Sequence, residues 1–114
     1  MSPQEIQSIA DLTAKFLGLT IRPKAIIKET SRGYAWTDKG WFTMPQWAID
    51  HSEECAMYII IHEICHFLNG GLDHGTEFAS VEDRALEFWN LKIERTKKNV
   101  YAKKIISKRG VFSI

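Results

Sequence analysis

Apolar residues recur at intervals of three and four near the beginning of the chain, which is the spacing of one face of a helix. The residues that form this stripe are Ile6, Ile9, Leu12, Phe16 and Leu17. Ser2 can cap a helix whose first position is Pro3, and Gly18 can end it. The pattern therefore predicts an N-terminal helix that packs on the core.

A second apolar stripe with helical spacing follows residue 76. It consists of Phe78, Val81, Ala85, Phe88, Trp89 and Ile93. This stripe predicts a long helix from about Thr76 to Lys98 that braces the middle of the fold.

Three other segments have the composition of strands and turns. β-Branched residues between Leu19 and Lys28 predict a first strand. The segment 33–44 reads as a hairpin that turns at Thr37–Gly40, and Pro45 should end its second strand. A further hairpin around Lys108–Gly110 is expected within residues 100–114. The predicted fold class is α+β, with a small antiparallel sheet and an edge strand ahead of a central helix.

The central helix should run from Asp50 to about Asn69. Asp50 can cap its first turn, with Glu53 completing a capping box, and Gly70 and Gly71 can then turn the chain sharply. Its apolar back, expected on the core, comprises Met57, Ile60, Ile64, Phe67 and Leu68. The opposite face, expected on a cleft, comprises Cys55, Tyr58, Ile59, His62, His66 and Asn69.

The cleft face carries a metal-binding pattern. His62 and His66 are four residues apart, so their imidazoles lie about one turn above each other and can reach one ion. Glu63 projects to the side of this pair, where it can act as a base rather than a ligand. His74 follows the glycine turn and can return to the same ion. We expect one Zn²⁺ on His62, His66 and His74.

Three protein ligands and an open fourth position suit a catalytic zinc better than a structural one. Glu63 would accept a proton from the water on the metal, and the resulting hydroxide would attack a polarised carbonyl, which is amide hydrolysis. Tyr58 and Tyr34 are candidates for stabilising the oxyanion, although either tyrosine can equally serve packing. Glu77 can orient His74 by a hydrogen bond or simply favour the first turn of its helix.

Two stretches of sequence resemble the SprT-like and Spartan group of zinc metallopeptidases. His62-Glu63-Ile64-Cys65-His66 followed by His74-Gly75-Thr76-Glu77-Phe78 matches the pattern HExxH and then HGxEF. The segment 41–48 is similar to the edge strand and turn that precede the active-site helix in that group. This resemblance covers roughly residues 20–80. It implies a minimal gluzincin-like (zincin-like) domain with one zinc on the three histidines, Glu63 as general base, and protein substrates that in some relatives are attached to DNA.

The chain departs from that group in two respects, and other readings remain open. The interval between His66 and His74 is short, and no cysteine-rich zinc ribbon follows. HEICHFLNG is locally similar to a peptide deformylase helix, but no cysteine precedes Cys55. A zinc-dependent endoribonuclease group shares part of the segment 69–74 but lacks the glutamate. A non-catalytic zinc module that binds nucleic acid or protein is the main alternative of a different class.

Length and composition restrict the remaining possibilities. The 114 residues predict a single domain over 1–114, and the absence of an apolar leader together with short apolar runs predicts a cytoplasmic protein without membrane contact. Cys55 and Cys65 lie ten residues apart on one predicted helix, too far for a disulfide, so we expect buried reduced thiols.

The formal net charge of +1 hides a strong asymmetry along the chain. Residues 92–109 contain eight basic residues and one acidic residue. This basic C-terminal segment can contact nucleic acid, or it can be a solvated helix end. A protein or peptide substrate can pair with the edge strand, and Trp36, Trp41 and Trp47 can line such a groove or belong to the core. The sequence does not define the oligomeric state.

Overall fold

Four helices and six strands make up the part of the chain that the computed structural model describes, which is residues 1–68, 73–96 and 101–114. In chain order they are α1 (Pro3–Phe16), β1 (Lys24–Lys28), β2 (Ala35–Trp36), β3 (Trp41–Pro45), α2 (Gln46–His51), α3 (Glu53–Cys65), α4 (Thr76–Phe88), β4 (Lys92–Glu94), β5 (Lys104–Ser107) and β6 (Gly110–Ser113). The α+β class predicted from the sequence is confirmed.

Helix α1 begins and ends where the sequence predicts. The Ser2 hydroxyl accepts a hydrogen bond from the Glu5 backbone N–H at 3.1 Å, and the Glu5 carboxylate accepts one from the Ser2 N–H at 3.0 Å. This capping box satisfies two backbone donors that the first turn cannot pair internally. Gly18, at φ +75°, ends the helix. The buried side of α1 packs against α3.

The first sheet has β3 at its centre, with β1 on one side and β2 on the other. β2 pairs with β3 in antiparallel fashion, but β1 pairs with β3 in parallel. The prediction of a purely antiparallel sheet is therefore wrong. After β1 the chain crosses to the opposite edge of the sheet and forms β2 there. It then turns back into β3 between the two, so β3 runs parallel to β1. The strand ahead of the helices, β3, is central, so the prediction of an edge strand at this position is wrong, and β2 is an edge strand instead.

The local turn signals of this sheet are confirmed. The backbone N–H groups of Lys39 and Gly40 both donate to the Trp36 carbonyl at 2.9 Å, and Gly40 has φ +79°. Pro45 ends β3 and is followed directly by α2. The first strand is shorter than predicted, since it begins at Lys24 rather than at Leu19.

The central helix starts later than predicted. Asp50 lies inside the short helix α2, where its carboxylate accepts a hydrogen bond from the Gln46 side chain at 3.0 Å. Ser52 adopts an extended backbone conformation and caps α3 instead, because its hydroxyl accepts from the Cys55 N–H at 3.0 Å. The predicted helix end at Asn69 and the turn at Gly70 and Gly71 fall outside the described residues.

Helix α3 is buried on all sides rather than on one face. Every residue from Glu54 to Cys65 is buried except Met57, which is partly exposed. The helix contacts α1, α2, α4, β3 and β5. The prediction of a core face opposite an open cleft face is therefore wrong, because a helix that is apolar all round lies inside the fold. Cys55 and Cys65 are free buried thiols, as predicted.

Helix α4 begins at Thr76 as predicted and packs on α3, but it ends at Phe88 instead of Lys98. Asn90 has φ +58°, a left-handed conformation that turns the chain out of the helix and into β4. Ile93 therefore lies in a strand, while Lys97 and Lys98 are outside the described residues. β4, β5 and β6 form a second sheet that is antiparallel, and the hairpin predicted around Lys108–Gly110 joins β5 to β6.

None of the described helices is both long enough and apolar enough to cross a lipid bilayer.

Candidate metal centre

The structure brings His62, His66 and His74 together at the end of α3. His62 and His66 come from one helical turn, and His74 lies just before α4. Nε2 of His74 is 2.9 Å from Nε2 of His62 and 3.0 Å from Nε2 of His66. His62 is buried, His66 is partly buried and His74 is exposed, so the cluster reaches from the interior to the surface.

The spacing of the three nitrogens is close to what a tetrahedral zinc ion needs. Zinc–imidazole bonds of about 2.0–2.1 Å place two ligand nitrogens roughly 3.3 Å apart. The three candidate ligand atoms lie within 4.8 Å of one another, and their two closest separations are slightly shorter than this value. Two imidazole nitrogens at such a separation cannot both carry a proton that points at the other. The three histidine nitrogens can therefore direct their lone pairs at one cation.

Glu82 holds the buried imidazole of His62 from behind. Its Oε2 atom lies 2.6 Å from Nδ1 of His62, and both side chains are 1 % exposed. The contact assigns the proton to Nδ1, which donates to the carboxylate, and it leaves the Nε2 lone pair directed at the other two histidines. This is the arrangement in which a histidine binds a metal through Nε2.

Arg95 in turn holds Glu82. Nη1 of Arg95 lies 2.6 Å from Oε1 of Glu82, and the same guanidinium also binds Asp83. Burial raises the pKa of Glu82, but its hydrogen bonds to His62 and Arg95 outweigh burial, and the pKa is lowered overall. Burial alone lowers the pKa of Arg95, but the carboxylates of Glu82 and Asp83 outweigh burial, and this pKa is raised overall. The pair therefore stays ionised, and the carboxylate keeps its orientation towards His62.

Glu63 lies beside the histidine cluster and not within it. Its Oε1 atom is 4.0 Å from Nε2 of His62, and its side chain is 3 % exposed. Burial, and to a lesser degree the negative charge of Glu82, raise the pKa of Glu63 to about 8. A buried carboxyl group that lies next to a metal position is placed to act as a general base on water at that position.

Gly33, just ahead of the edge strand β2, lies against Glu63. A methyl group at Gly33 would be 2.8 Å from the Thr43 carbonyl oxygen and 3.2 Å from Cγ of Glu63. Only a glycine leaves room for the segment just ahead of the edge strand β2 to pass this close to the Glu63 carboxylate. The backbone of a chain segment that can pair with a peptide thus lies directly beside the candidate base.

Tyr101 contacts both Gly33 and His62. Its hydroxyl accepts a hydrogen bond from the Gly33 N–H at 2.8 Å and lies 3.4 Å from the Gly33 carbonyl oxygen, to which it can donate. Its ring lies edge-on to His62, with centroids 5.1 Å apart. Burial, reinforced by the negative charge of Glu63, raises the pKa of Tyr101, so its hydroxyl stays protonated.

The two tyrosines proposed from the sequence lie in different places. Tyr34 is 58 % exposed, and its ring lies beside that of Trp36. Tyr58 is buried behind His62, with its hydroxyl 3.5 Å from Nδ1 of His62 and accepting from the Ala102 N–H at 2.9 Å. A cavity of about 160 Å³ at this point is lined by both His62 and His74 together with Tyr58 and Tyr101.

The sequence predicted the three histidines and Glu63, but not the residues that contact them and fix their orientation. Glu77, which it proposed as a partner of His74, is exposed in the first turn of α4. Glu82 was detectable in principle, because it lies about 40° from Phe78 around the helix, inside the apolar stripe. A charged residue within such a stripe indicates a buried, paired side chain. The roles of Gly33, Arg95 and Tyr101 depend on tertiary contacts that no local pattern reveals.

The basic residues of the C-terminal segment are partly neutralised by ion pairs. Arg95 binds Glu82 and Asp83, while Arg109 approaches Glu53 and Glu54 at 3.3 Å and 3.5 Å. The remaining described lysines of residues 92–109 lie in or next to β4–β6 rather than on a helix end. For the described lysines, the alternative that they form the end of a helix is therefore wrong.

Comparisons with known proteins agree with this geometry at the level of the fold. No protein-family model and no curated protein sequence matches the chain. Its fold is similar to that in the crystal structure of the metallopeptidase zymogen of Pyrococcus abyssi abylysin, with a TM-score of 0.59 and 21 % sequence identity. The match covers 72 % of this chain and 86 % of that chain. The chain therefore has a metallopeptidase-like α+β fold with a three-histidine cluster that is compatible with a metal ion.

Proposed function

We propose that this protein is a zinc-dependent endopeptidase. The observation that carries the proposal is the convergence of the three Nε2 atoms beside the buried carboxyl group of Glu63. A purely structural zinc site has no need of a base next to the metal. The sequence resemblance to SprT-like peptidases supports the same reaction, and the fold likeness to a metallopeptidase zymogen is consistent with it.

His62, His66 and His74 would hold the ion, and Glu82 with Arg95 would fix the orientation of His62. Bound zinc would supply a Lewis acid that polarises a substrate carbonyl and lowers the pKa of a water molecule. Glu63 would accept the proton of the attacking water and return it to the nitrogen of the leaving amine. The hydroxyl of Tyr101 is a candidate donor to the developing oxyanion, since it stays protonated near Glu63.

A peptide substrate is favoured because the edge segment that precedes β2 passes beside Glu63. An extended peptide can pair with the backbone of an edge strand with little demand on its sequence. Such pairing would place a backbone carbonyl next to the histidine cluster. We therefore propose unfolded proteins or flexible protein segments as the substrate class, including proteins attached to DNA.

The test is cleavage of unfolded casein by the zinc-loaded wild-type protein and by the Glu63→Gln variant. This substitution keeps the size of the side chain while it removes the proton acceptor, so the zinc content of both proteins should be equal. We expect cleavage by the wild type and a loss of at least about a hundredfold in the variant. Equal cleavage by both proteins at equal zinc content would contradict the role of Glu63.

One observation favours a second candidate, a non-catalytic zinc-containing binding module. The backbone N–H of Gly33 lies next to Glu63 and is a donor with which a substrate would pair. It already donates a hydrogen bond to the hydroxyl of Tyr101. In a module of this kind neither protein would cut casein, although both would hold one zinc ion. The same assay therefore decides between the two functions, and formylated peptides and RNA are the next substrates to assay in that case.

A further inference from the structure

The outer face of the first sheet carries aromatic rings and lysines in one continuous patch. We call it the aromatic–lysine face and define it by Tyr34, Trp36, Trp41, Lys24, Lys28 and Lys39. Strand register places Lys24, Lys28, Trp36 and Trp41 on one face, because side chains that are paired across a sheet point to the same side. Trp41 pairs with Lys24 of β1 and with Trp36 of β2, and Lys28 lies four residues after Lys24 on the same strand.

The core packs on the other face of this sheet. Phe42 and Met44 of β3 are completely buried, and they alternate with Trp41 and Thr43 along the strand. Ala25 and Ile27 of β1 pack on the core from the same side as Phe42 and Met44, to which they are paired. The helices therefore cover one face of the sheet, and the aromatic–lysine face is turned away from them.

The three rings form a run across the strands. The ring centroids of Trp36 and Trp41 are 5.3 Å apart in a stacked arrangement, and those of Tyr34 and Trp36 are 6.5 Å apart. Trp36 is 41 % exposed and Tyr34 is 58 % exposed, which is unusual for large aromatic side chains. Exposed aromatic rings that neighbour each other indicate a binding surface rather than a part of the core.

Lysines lie over these rings and supply positive charge. Nζ of Lys28 is 5.8 Å from the centroid of Trp41, and Nζ of Lys39 is 5.3 Å from that of Trp36. Within the part of the chain that the structure describes, neither lysine nor Lys24 forms an ion pair with a carboxylate within 4.0 Å. Residues 22–39 contain five basic and two acidic residues, the latter being Glu29 and Asp38. The surface is therefore cationic as well as aromatic.

We propose that the aromatic–lysine face binds single-stranded nucleic acid. Bases of any sequence can stack on exposed aromatic rings, while lysines interleaved with those rings contact the phosphates. A duplex hides the faces of its bases, so it can use the lysines but not the rings. An acidic peptide would likewise satisfy the lysines and leave the aromatic rings without stacking partners. The combination of both features on one sheet face selects a single strand.

This location differs from the basic C-terminal segment considered from the sequence, where the two arginines are held in ion pairs. It also lies close to the candidate metal centre. Tyr34 directly follows Gly33, which lies against the Glu63 carboxyl group. A strand bound on this face would run beside the edge where a protein substrate pairs. The binding itself requires neither zinc nor Glu63, so it can hold even where the peptidase proposal fails.

The test measures binding of a fluorescein-labelled oligothymidine of about 16 nucleotides to the full chain by fluorescence anisotropy. Trp36→Ala should weaken binding roughly tenfold, and Trp36→Phe should retain most of it, because a smaller ring still stacks. Phe16→Ala is the matched control, since Phe16 is 43 % exposed on α1, in the helical layer on the opposite side of the sheet. Circular dichroism and Tm establish that each variant is folded.

A second pair of variants tests the cationic part. Lys28→Ala combined with Lys39→Ala should reduce the slope of log affinity against log salt by roughly 1.4, because each phosphate contact contributes about 0.7. Lys92→Ala combined with Lys103→Ala removes two exposed lysines from the basic C-terminal segment and should leave the slope unchanged. Glu63→Gln should bind like the wild type, with or without zinc.

Several results would overturn the proposal. One is the absence of binding at low salt by a folded wild-type protein. Another is equal affinity for polyglutamate or for a duplex of the same length, combined with no difference between Trp36→Ala and Phe16→Ala, which would identify a plain cationic surface. A third is loss of binding in the Lys92 and Lys103 variant alone, which would move the site to the C-terminal segment.

Discussion

Nδ1 of His62 and Oε2 of Glu82 lie 2.6 Å apart in the interior of the protein, 20 residues apart in sequence. This hydrogen bond connects α3 to α4 and fixes which nitrogen of His62 faces the other histidines. The candidate metal centre therefore depends on the packing of two helices and not on the HExxH segment alone. Arg95, which lies just after β4, extends the contact to the second sheet.

Replacing Glu82 by Gln should weaken zinc binding by roughly tenfold to a hundredfold. The amide keeps the size of the carboxylate but removes the charge that stabilises His62 and that pairs with Arg95. The measurement is competition for zinc with a chelator of known affinity.

Asp83→Asn is the matched control for that experiment, because Asp83 also binds Arg95 but is 64 % exposed and does not contact His62. Its zinc affinity should stay within about threefold of the wild type. An equal loss of zinc affinity in both variants would show that the ion pairs of Arg95, and not the orientation of His62, determine the affinity.

Gly33→Ala should impair cleavage while it spares zinc binding. The added methyl group would lie 3.2 Å from Cγ of Glu63 and 2.8 Å from the Thr43 carbonyl oxygen, so either the base or the edge segment has to shift. A displacement of about 1 Å in a catalytic group can cost on the order of a hundredfold in rate. Initial rates of casein cleavage at equal zinc content measure this effect.

Gly75→Ala provides the comparison, since a methyl group there meets no atom within 4 Å. Its cleavage rate should match that of the wild type. Wild-type activity in Gly33→Ala would mean that the edge segment does not constrain Glu63.

Ser52→Ala should lower the free energy of unfolding by about 1 kcal/mol, because it removes the hydroxyl that caps α3. Asp50→Ala, at the position that the sequence suggested as the cap, should change it by less than about 0.5 kcal/mol. Denaturant unfolding of both variants measures the difference. A larger effect at Asp50 would restore the original assignment of the helix start.

Cys55 and Cys65 should resist alkylation in the folded protein. Burial raises the pKa of the Cys55 thiol to about 11, and it raises the pKa of Cys65 as well, so the reactive thiolate is scarce at neutral pH. Because the raised pKa disfavours the thiolate, reaction with iodoacetamide should accelerate as the pH rises from about 9 towards 11. Mass spectrometry should detect two labels in denaturant and none in the native protein at pH 7.5. Rapid native labelling would contradict the burial of α3.

Local signals in the sequence predicted the parts of the fold that depend on local chemistry. Ser2, Pro3 and Gly18 define α1, and Gly40 defines the turn between β2 and β3, because caps and turns are set by neighbouring residues. The spacing of His62 and His66 predicted their convergence for the same reason. Asn90 is also a local signal, but the apolar residues beyond it concealed the end of α4.

Features that depend on distant pairing were not predictable in this way. The parallel pairing of β1 with β3 requires the chain to cross the sheet first, and no periodicity encodes that crossing. The burial of α3 on every side depends on how many elements surround it. Glu82, Gly33 and Tyr101 reach the metal centre only through tertiary packing.

Zinc K-edge X-ray absorption of the protein loaded with one equivalent of zinc identifies the ligands of the ion. We expect three imidazole nitrogens and one oxygen at about 2.0–2.1 Å, and the loss of one imidazole in His74→Ala. Sulfur scattering at about 2.3 Å, or a spectrum that His74→Ala leaves unchanged, would show that zinc binds elsewhere and would contradict the three-histidine site.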